Sequence, residues 1–155
     1  MSKSGAKIWH GDFNKMTFSK KFDVITFWGV LEHLSDPIAA LSKATSLLND
    51  AGMIVFEVPS ANCFMSEYLK KSCFSPTRYI ESGRHNIFFS KFLIEKVAID
   101  FGLEIALIET NGLDFQTILL EEFNPKVTEK ILNMQDTLND LLLGDHYRVF
   151  LKKPK

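Results

Sequence analysis

The sequence predicts an α/β fold whose sheet is mostly parallel. The segment Phe22–Trp28 is an apolar strand that runs through Gly29 into a helix beginning at Asp36-Pro37. The next strand, Met53–Val58, is a nearly continuous apolar run, which is typical of a strand buried on both faces. Strands that alternate with helices form parallel sheets, and such sheets place ligand crevices at the carboxyl ends of their strands.

A short strand is predicted over Lys7–Phe13, ahead of the strand Phe22–Trp28. Only eight residues, Asn14–Lys21, connect the two. Parallel neighbours need a crossover of about a dozen or more residues. We therefore expect these two strands not to be adjacent in the sheet.

Capping residues and apolar periodicity predict the first helix over Pro37–Leu48. Asp36 is the predicted N-cap, and proline suits the first helical position. One face of this helix carries Ile38, Leu41, Thr45 and Leu48. The segment Asn49–Gly52 then ends the helix before the second strand.

The remaining elements alternate in the same way. They are the helix Lys91–Phe101, the strand Leu103–Thr110, the helix Pro125–Leu143 and the strand Tyr147–Lys152. Ser90 can cap the first of these helices, and Gly102 is its C-terminal stop. Apolar residues of the second helix recur at spacings of three and four, so we expect it to be amphipathic.

Length and composition indicate one domain over residues 1–155. Apolar residues make up 46% of the chain, which is enough for one hydrophobic core. Lys and Arg number 18 against 19 Asp and Glu, for a net charge of −1. This balance favours neither a nucleic acid nor an anionic membrane as partner, so a small molecule or a protein is the expected substrate.

Cysteine usage and the N-terminus favour a cytoplasmic location. Cys63 and Cys73 are ten positions apart, which matches neither a C-x-x-C redox pair nor a paired-cysteine zinc motif. We expect both thiols to be reduced. The first seven residues lack an apolar signal core, and no apolar run approaches the roughly 20 residues that span a bilayer.

Residues 22–37 resemble the F-D-x-(apolar)-L-E-H-x-x-D-P stretch of S-adenosylmethionine-dependent methyltransferases with a Rossmann-like fold. Further segments match the family in family order: Leu41, Leu47-Leu48, Ala51-Gly52, Met53–Pro59, His85–Ser90 and Phe101–Glu104. The resemblance implies a partial Rossmann-like sheet with an antiparallel C-terminal strand and helices on both faces. It also implies S-adenosylmethionine as cofactor and methyl transfer to a small-molecule acceptor.

The Gly-rich turn with which that family begins has no counterpart in this sequence. The eight glycines are scattered, with no two closer than six positions. The dinucleotide fingerprint of dehydrogenases, which share the architecture, is absent for the same reason. The chain therefore looks like the C-terminal two-thirds of a methyltransferase. The alternative function is a non-enzymatic remnant or split half that binds a partner, such as a missing N-terminal half or a second copy.

Two strand ends carry the candidate cofactor contacts. The resemblance assigns adenine contact to Asp12 and Phe13, although Asp12 could instead bond only its own backbone. Trp28, Gly29 and Val30 correspond to the family loop beneath the methionine part of the cofactor. Glycine lets the backbone approach a ligand there, and exposed carbonyls can hold an ammonium group. The alternative is that Gly29 only permits a tight turn.

The acceptor side has fewer candidates. His33 is a further predicted cofactor contact, and with Glu32 it can orient the loop by hydrogen bonding. His85 stands where family members carry a histidine, so it is a candidate catalytic base or substrate contact, or else a structural hydrogen-bonding residue. Tyr79 and Arg84 are candidates for the acceptor pocket. No histidine pair has a ligand spacing such as H-x-x-x-H, so no metal site is predicted.

Overall fold

The structure, a computed structural model, describes residues 6–64, 66, 85–112 and 125–155. Its four strands are β1 (Phe22–Trp28), β2 (Leu48–Pro59), β3 (Glu104–Asn111) and β4 (His146–Lys152). The helices whose bounds lie within the described residues are α1 (Pro37–Ser46), α2 (Lys91–Asp100) and α3 (Pro125–Asp140), and a 3-10 turn covers Leu31–His33. In this part of the chain, no helix combines the length and apolarity needed to cross a membrane.

The four strands form one sheet in the order β1-β2-β4-β3. β1 and β2 are parallel, whereas β4 is antiparallel to both of its neighbours, β2 and β3. Three strands thus run in one direction and the C-terminal strand runs against them. The predicted α/β class and partial Rossmann-like sheet are confirmed, including the antiparallel C-terminal strand.

One face of the sheet packs against α1 and α2 to form the core. Successive side chains of a strand point to opposite faces, so alternate residues of each strand enter this core. The sheet contributes Phe27, Ile54, Phe56, Val58, Tyr147, Val149 and Leu151, and the helices contribute Ala40, Leu41, Ala44, Ile94, Val97 and Ala98. On the other face, Val24, Trp28 and Leu107 are exposed.

The predicted helices and the C-terminal strands differ from the structure mainly at their ends. α1 ends at Ser46 instead of Leu48, because Leu48 already pairs with Phe22 at the start of β2. Asn49–Gly52 lies within an irregular part of that strand, where Ala51 has a φ of 60°. α3 ends at Asp140 instead of Leu143.

The predicted strand Lys7–Phe13 is wrong. Within residues 6–21 the described backbone forms turns and bends and no strand. A strand needs a hydrogen-bonded neighbour, and the described sheet ends at β1, which pairs with β2. Aromatic packing holds this segment instead: the rings of Trp9 and Phe13 lie 5.8 and 5.9 Å from that of Phe18.

Lys43 ties this N-terminal segment to α1. Its Nζ donates hydrogen bonds to the backbone carbonyls of Phe13, at 2.6 Å, of Asn14, at 3.1 Å, and of Met16. The side-chain amide of Asn14 donates to the carbonyl of Asp36 at 3.3 Å. The position of Asp12 and Phe13 therefore depends on a lysine about 30 residues away in sequence.

Replacing Lys43 by Met should release this segment from α1. Hydrogen bonds to a charged group contribute about 1.5–3 kcal/mol each when buried, so we expect the local opening free energy to fall by about 1–2 kcal/mol at this half-buried site. Hydrogen exchange measures the effect, because the amides of Lys15 and Met16 bond to the carbonyl of Asp12. Lys96→Met, on α2, is the control. Unchanged protection of these amides in Lys43→Met would contradict the proposed tether.

Candidate functional site

The loop after β1 lies at the carboxyl end of the parallel strand pair. Gly29 has a φ of 60°, in the left-handed region that other residues adopt only with strain. A Cβ at this position would meet Glu32 Oε1 at 3.8 Å, so the glycine leaves the front of that carboxylate open. The neighbouring Trp28 side chain is 51% exposed. The loop thus presents an open backbone and an aromatic ring at the crevice.

Asn86 holds this loop in place. Its backbone N–H donates to the carbonyl of Glu32 at 2.7 Å, and its side-chain amide donates to the carbonyls of His33, at 2.9 Å, and Leu34, at 3.3 Å. Asn86 and His33 are 53 positions apart in sequence. These bonds bring the neighbouring residue, His85, against the loop.

Glu32, His33 and His85 form a compact polar cluster. The rings of His33 and His85 lie 5.1 Å apart, and His33 Nε2 lies 3.8 Å from Glu32 Oε1. The Glu32 side chain is only 6% exposed, whereas that of His33 is 47% exposed. Glu32 Oε2 and His85 Nδ1 are both buried without a hydrogen-bond partner among the described residues. Buried polar atoms are nearly always paired, so this cluster requires an explanation.

A row of four side chains, three of them charged, crosses the sheet beside the loop after β1. Trp28, Glu57, Arg148 and Glu109 occupy successive positions of the four strands in register. Arg148 Nη2 lies 2.7 Å from Glu57 Oε2, its Nη1 lies 3.4 Å from Glu109 Oε1, and its guanidinium stacks 5.5 Å from the Trp28 ring. The hydrogen bond to Glu57 raises the pKa of Arg148. Sequence reasoning missed this row, although Glu57 is the one charged residue in the predicted strand Met53–Val58.

Asp145 and His146 form a further ion pair at the same end of the sheet. His146 Nδ1 lies 2.8 Å from Asp145 Oδ1, and the Asp145 side chain is only 8% exposed. This hydrogen bond raises the pKa of His146, and the negative charges of Glu57 and Glu32 act in the same direction. No sequence pattern indicated this pair. Carboxylates from β2, the loop after β1 and the turn before β4 therefore meet at one end of the sheet.

The predicted adenine contacts have neighbours of their own. Asp12 Oδ1 accepts a hydrogen bond from the backbone N–H of Asn14 at 2.9 Å, and its Oδ2 lies 3.4 Å from Lys15 Nζ. The ring of Phe13 packs at 5.5 Å against that of Phe27. Of the predicted site residues, the structure thus places His33 beside His85, and Asp12 and Phe13 beside α1.

An apolar pocket of about 220 Å³ opens at the other end of β1. It is lined by Trp9, Phe13, Phe18, Phe22, Val24, Ile25 and Leu47. Its lining contains no titratable side chain, so it offers shape and apolar surface but no acid–base chemistry. The predicted acceptor residues Tyr79 and Arg84 lie outside the described residues.

Comparisons with known proteins agree with this architecture. The model of a methyltransferase domain family matches residues 4–108, which is more than half of the chain. No curated protein sequence gave a significant match.

Solved structures with a similar fold include S-adenosylmethionine-dependent methyltransferases. One, from Thermotoga maritima and described as a possible histamine N-methyltransferase, has a TM-score of 0.65 and 14% identity over 97% of this chain and 65% of its own. Another, from Archaeoglobus fulgidus, has a TM-score of 0.64 and 18% identity, and the match covers 97% of this chain and 69% of that structure. Magnesium protoporphyrin IX methyltransferase from Synechocystis was solved with bound S-adenosylhomocysteine. It has a TM-score of 0.54 and 14% identity, and the match covers 92% of this chain and 49% of that structure. This chain thus spans about two thirds or less of the length of these three structures.

Replacing His146 by Asn should change how stability depends on pH. A pKa that is raised in the folded state stabilises the protein below the unfolded value, near 6.5, and this contribution is lost as pH rises through the folded value. We expect the variant to be less stable than the parent by at most about 1 kcal/mol at about pH 5.5, and equal to it at about pH 9, because the side chain is partly solvated. Urea unfolding across this range measures the difference. The exposed His10→Asn is the control, and parallel pH profiles for His146→Asn and the parent would refute the assignment.

Proposed function

We propose a methyl-transfer function for this chain because it belongs to the family of S-adenosylmethionine-dependent methyltransferases with a Rossmann-like fold. Bound S-adenosylmethionine would supply an electrophilic methyl group on its sulfonium. The proposed acceptor is a small molecule, and the proposed location is the cytoplasm, as the sequence predicts. The observation that carries the proposal is the left-handed Gly29 at the carboxyl end of β1.

The loop after β1 fits the methionine part of such a cofactor. Gly29 has no side chain to keep a ligand from the backbone, and the exposed Trp28 and Val30 flank it. We propose that these three residues and His33 line the methionine end of the site. Their task is to hold the sulfonium and the acceptor in line, because positioning contributes most of what a protein can add to methyl transfer.

Charge at this end of the sheet supports a cationic ligand. The sulfonium and the α-ammonium group of the cofactor are both positive. Three carboxylates lie here, those of Glu32, Glu57 and Asp145. Arg148 pairs with Glu57, and His146 pairs with Asp145. The carboxylate of Glu32 is buried, and its Oε1 lies 3.8 Å from His33 Nε2. A positive ligand therefore gains more at this crevice than a neutral one.

Asp12 and Phe13 are the proposed adenine contacts. The Asp12 side chain is 47% exposed, so its carboxylate can accept a further hydrogen bond from an exocyclic amine besides that of Asn14. Lys43 and the aromatic cluster fix the backbone of this segment beside α1. A rigid carboxylate of this kind costs less conformational entropy when it binds a ligand than a mobile one.

His85, Tyr79 and Arg84 are the proposed residues of the acceptor side. The contact between the rings of His85 and His33 supports this placement for His85, since His33 belongs to the loop after β1. A general base is needed only where the acceptor must lose a proton, and His85 is the candidate for that role. Tyr79 and Arg84 precede it in sequence and stay predictions.

Calorimetric titration with S-adenosylhomocysteine tests the cofactor site. We expect micromolar binding by the parent chain and at least a tenfold loss in Gly29→Val. Gly102→Val is the matched control, because Gly102 has a φ of 65° and ends α2 at the opposite end of the sheet. Both variants introduce a similar backbone strain, of about 1–2 kcal/mol, because both glycines are left-handed. A folded parent that does not bind, or equal binding by Gly29→Val, would refute the proposal.

A second candidate function is self-association or the binding of a polypeptide that supplies the Gly-rich turn. It is favoured by the outer edge of β1, which pairs with no other strand among the described residues. Val24 on this strand is 55% exposed. Unpaired strand edges with apolar side chains readily pair with another chain.

Val24→Lys should weaken any such association, because a lysine on an edge strand opposes strand pairing. Analytical ultracentrifugation of the parent should reveal a concentration-dependent dimer, and the variant should sediment as a monomer. Ile99→Lys, which alters another exposed apolar position, on α2, should leave the dimer intact. A parent that stays monomeric at high micromolar concentration would exclude self-association as the second function.

A further inference from the structure

Three side chains of the kinds that bind metal ions lie together at the loop after β1. One ligand atom from each of Glu32, His33 and His85 lies within 4.8 Å of the other two. The bonds from Asn86 to the carbonyls of Glu32 and His33 bring the third of these residues to the first two. The fold therefore holds the backbones of these three residues next to one another.

Two of these side chains have buried atoms that lack a partner. Glu32 Oε2 and His85 Nδ1 form no hydrogen bond with any described residue. The Glu32 side chain is only 6% exposed. A buried carboxylate oxygen and a buried imidazole nitrogen are both unfavourable when left unpaired. A metal ion bound by the Glu32 carboxylate and the His85 imidazole would give both groups a partner, since each offers an electron pair.

We propose that Glu32, His33 and His85 bind a divalent transition-metal cation, with Zn²⁺ as the best-suited member. Two imidazoles and one carboxylate suit Zn²⁺ and its neighbours, whereas Mg²⁺ and Ca²⁺ prefer sites made of oxygen atoms alone. Two ligands of a tetrahedral Zn²⁺ lie about 3.4 Å apart for bonds of about 2.1 Å. The observed 3.8 Å between Glu32 Oε1 and His33 Nε2 is close to this value, and rotation of the half-exposed His33 closes the rest.

Three protein ligands leave one coordination position open. Glu32 Oε1 faces Gly29, where the missing side chain leaves room in front of the carboxylate. An oxygen or nitrogen of a methyl acceptor could occupy the open position beside the proposed methionine end of the cofactor site. A cation there would lower the pKa of the acceptor, so His85 would serve as a ligand in place of the general base proposed above. This last step rests on the proposed function, whereas cation binding does not.

Titration of the chelator-treated chain with Co²⁺ tests the site directly. We expect one equivalent to bind with the intense visible absorption of a four- or five-coordinate ion, and Zn²⁺ to displace it. Glu32→Gln and His85→Asn should each weaken Zn²⁺ binding at least tenfold in calorimetry. His10→Asn, which alters an exposed histidine that is not part of the cluster, should bind like the parent.

His33→Asn keeps the test decisive if the buried Glu32 variant fails to fold. The His33 side chain is half-exposed, so its replacement should leave the metal-free melting temperature unchanged and abolish the rise that Zn²⁺ produces in the parent. Absence of Co²⁺ binding, binding that survives both histidine substitutions, or tighter binding of Mg²⁺ than of Zn²⁺ would overturn the inference. A chain that binds Zn²⁺ but not S-adenosylhomocysteine would refute the proposed function and leave the cation site standing.

Discussion

The hydrogen bonds of Asn86 are the contact on which the candidate site depends. Three carbonyls of the segment 32–34 accept from this one residue, through its backbone N–H and its side-chain amide. Each carbonyl belongs to a loop that cannot satisfy it within a helix or a strand. The same bonds place His85 against His33, and the bridge between Ser60 and Phe89 continues the attachment to the end of β2. Two segments distant in sequence thereby become one wall of the crevice.

Electrostatics at the carboxyl end of the sheet depend on strand register. Glu57, Arg148 and Glu109 meet because β2, β4 and β3 align these positions side by side. A shift of one residue in β4 would turn Arg148 to the face packed against α1 and α2 and bring Val149 or Tyr147 out of the core. The register that buries the apolar face therefore also pairs the charges. Asp145 and His146 extend this arrangement toward Glu32, which is the least compensated carboxylate of the group.

The site combines two kinds of local constraint that serve different parts of a reaction. Gly29 permits a backbone conformation that leaves space for a ligand, and the cluster behind it supplies donors that the fold itself does not satisfy. The first is suited to holding a cofactor and the second to holding an ion or an acceptor atom. Their closeness follows from the short 3-10 turn that joins β1 to α1, because it carries Glu32 and His33 only three and four positions past Gly29.

The sequence by itself determined the α/β class, the helices and the strands from β1 onward, because their signals are local. Asp36 caps α1 and Ser90 caps α2 as predicted, through bonds to backbone amides three residues ahead. A nearly continuous apolar run located β2, because a strand buried on both faces selects apolar side chains at successive positions. The left-handed turn at Gly29 was likewise foreseeable from the residue type.

Only the tertiary structure decided what depends on partners distant in the chain. The strand predicted over Lys7–Phe13 does not form, because a strand exists only beside a neighbour that accepts its hydrogen bonds, and aromatic packing and Lys43 hold that segment instead. The row through Arg148 and the meeting of Glu32 with His85 follow from register and from Asn86. No local sequence pattern predicts either feature, because both depend on contacts between segments that lie dozens of residues apart in the chain.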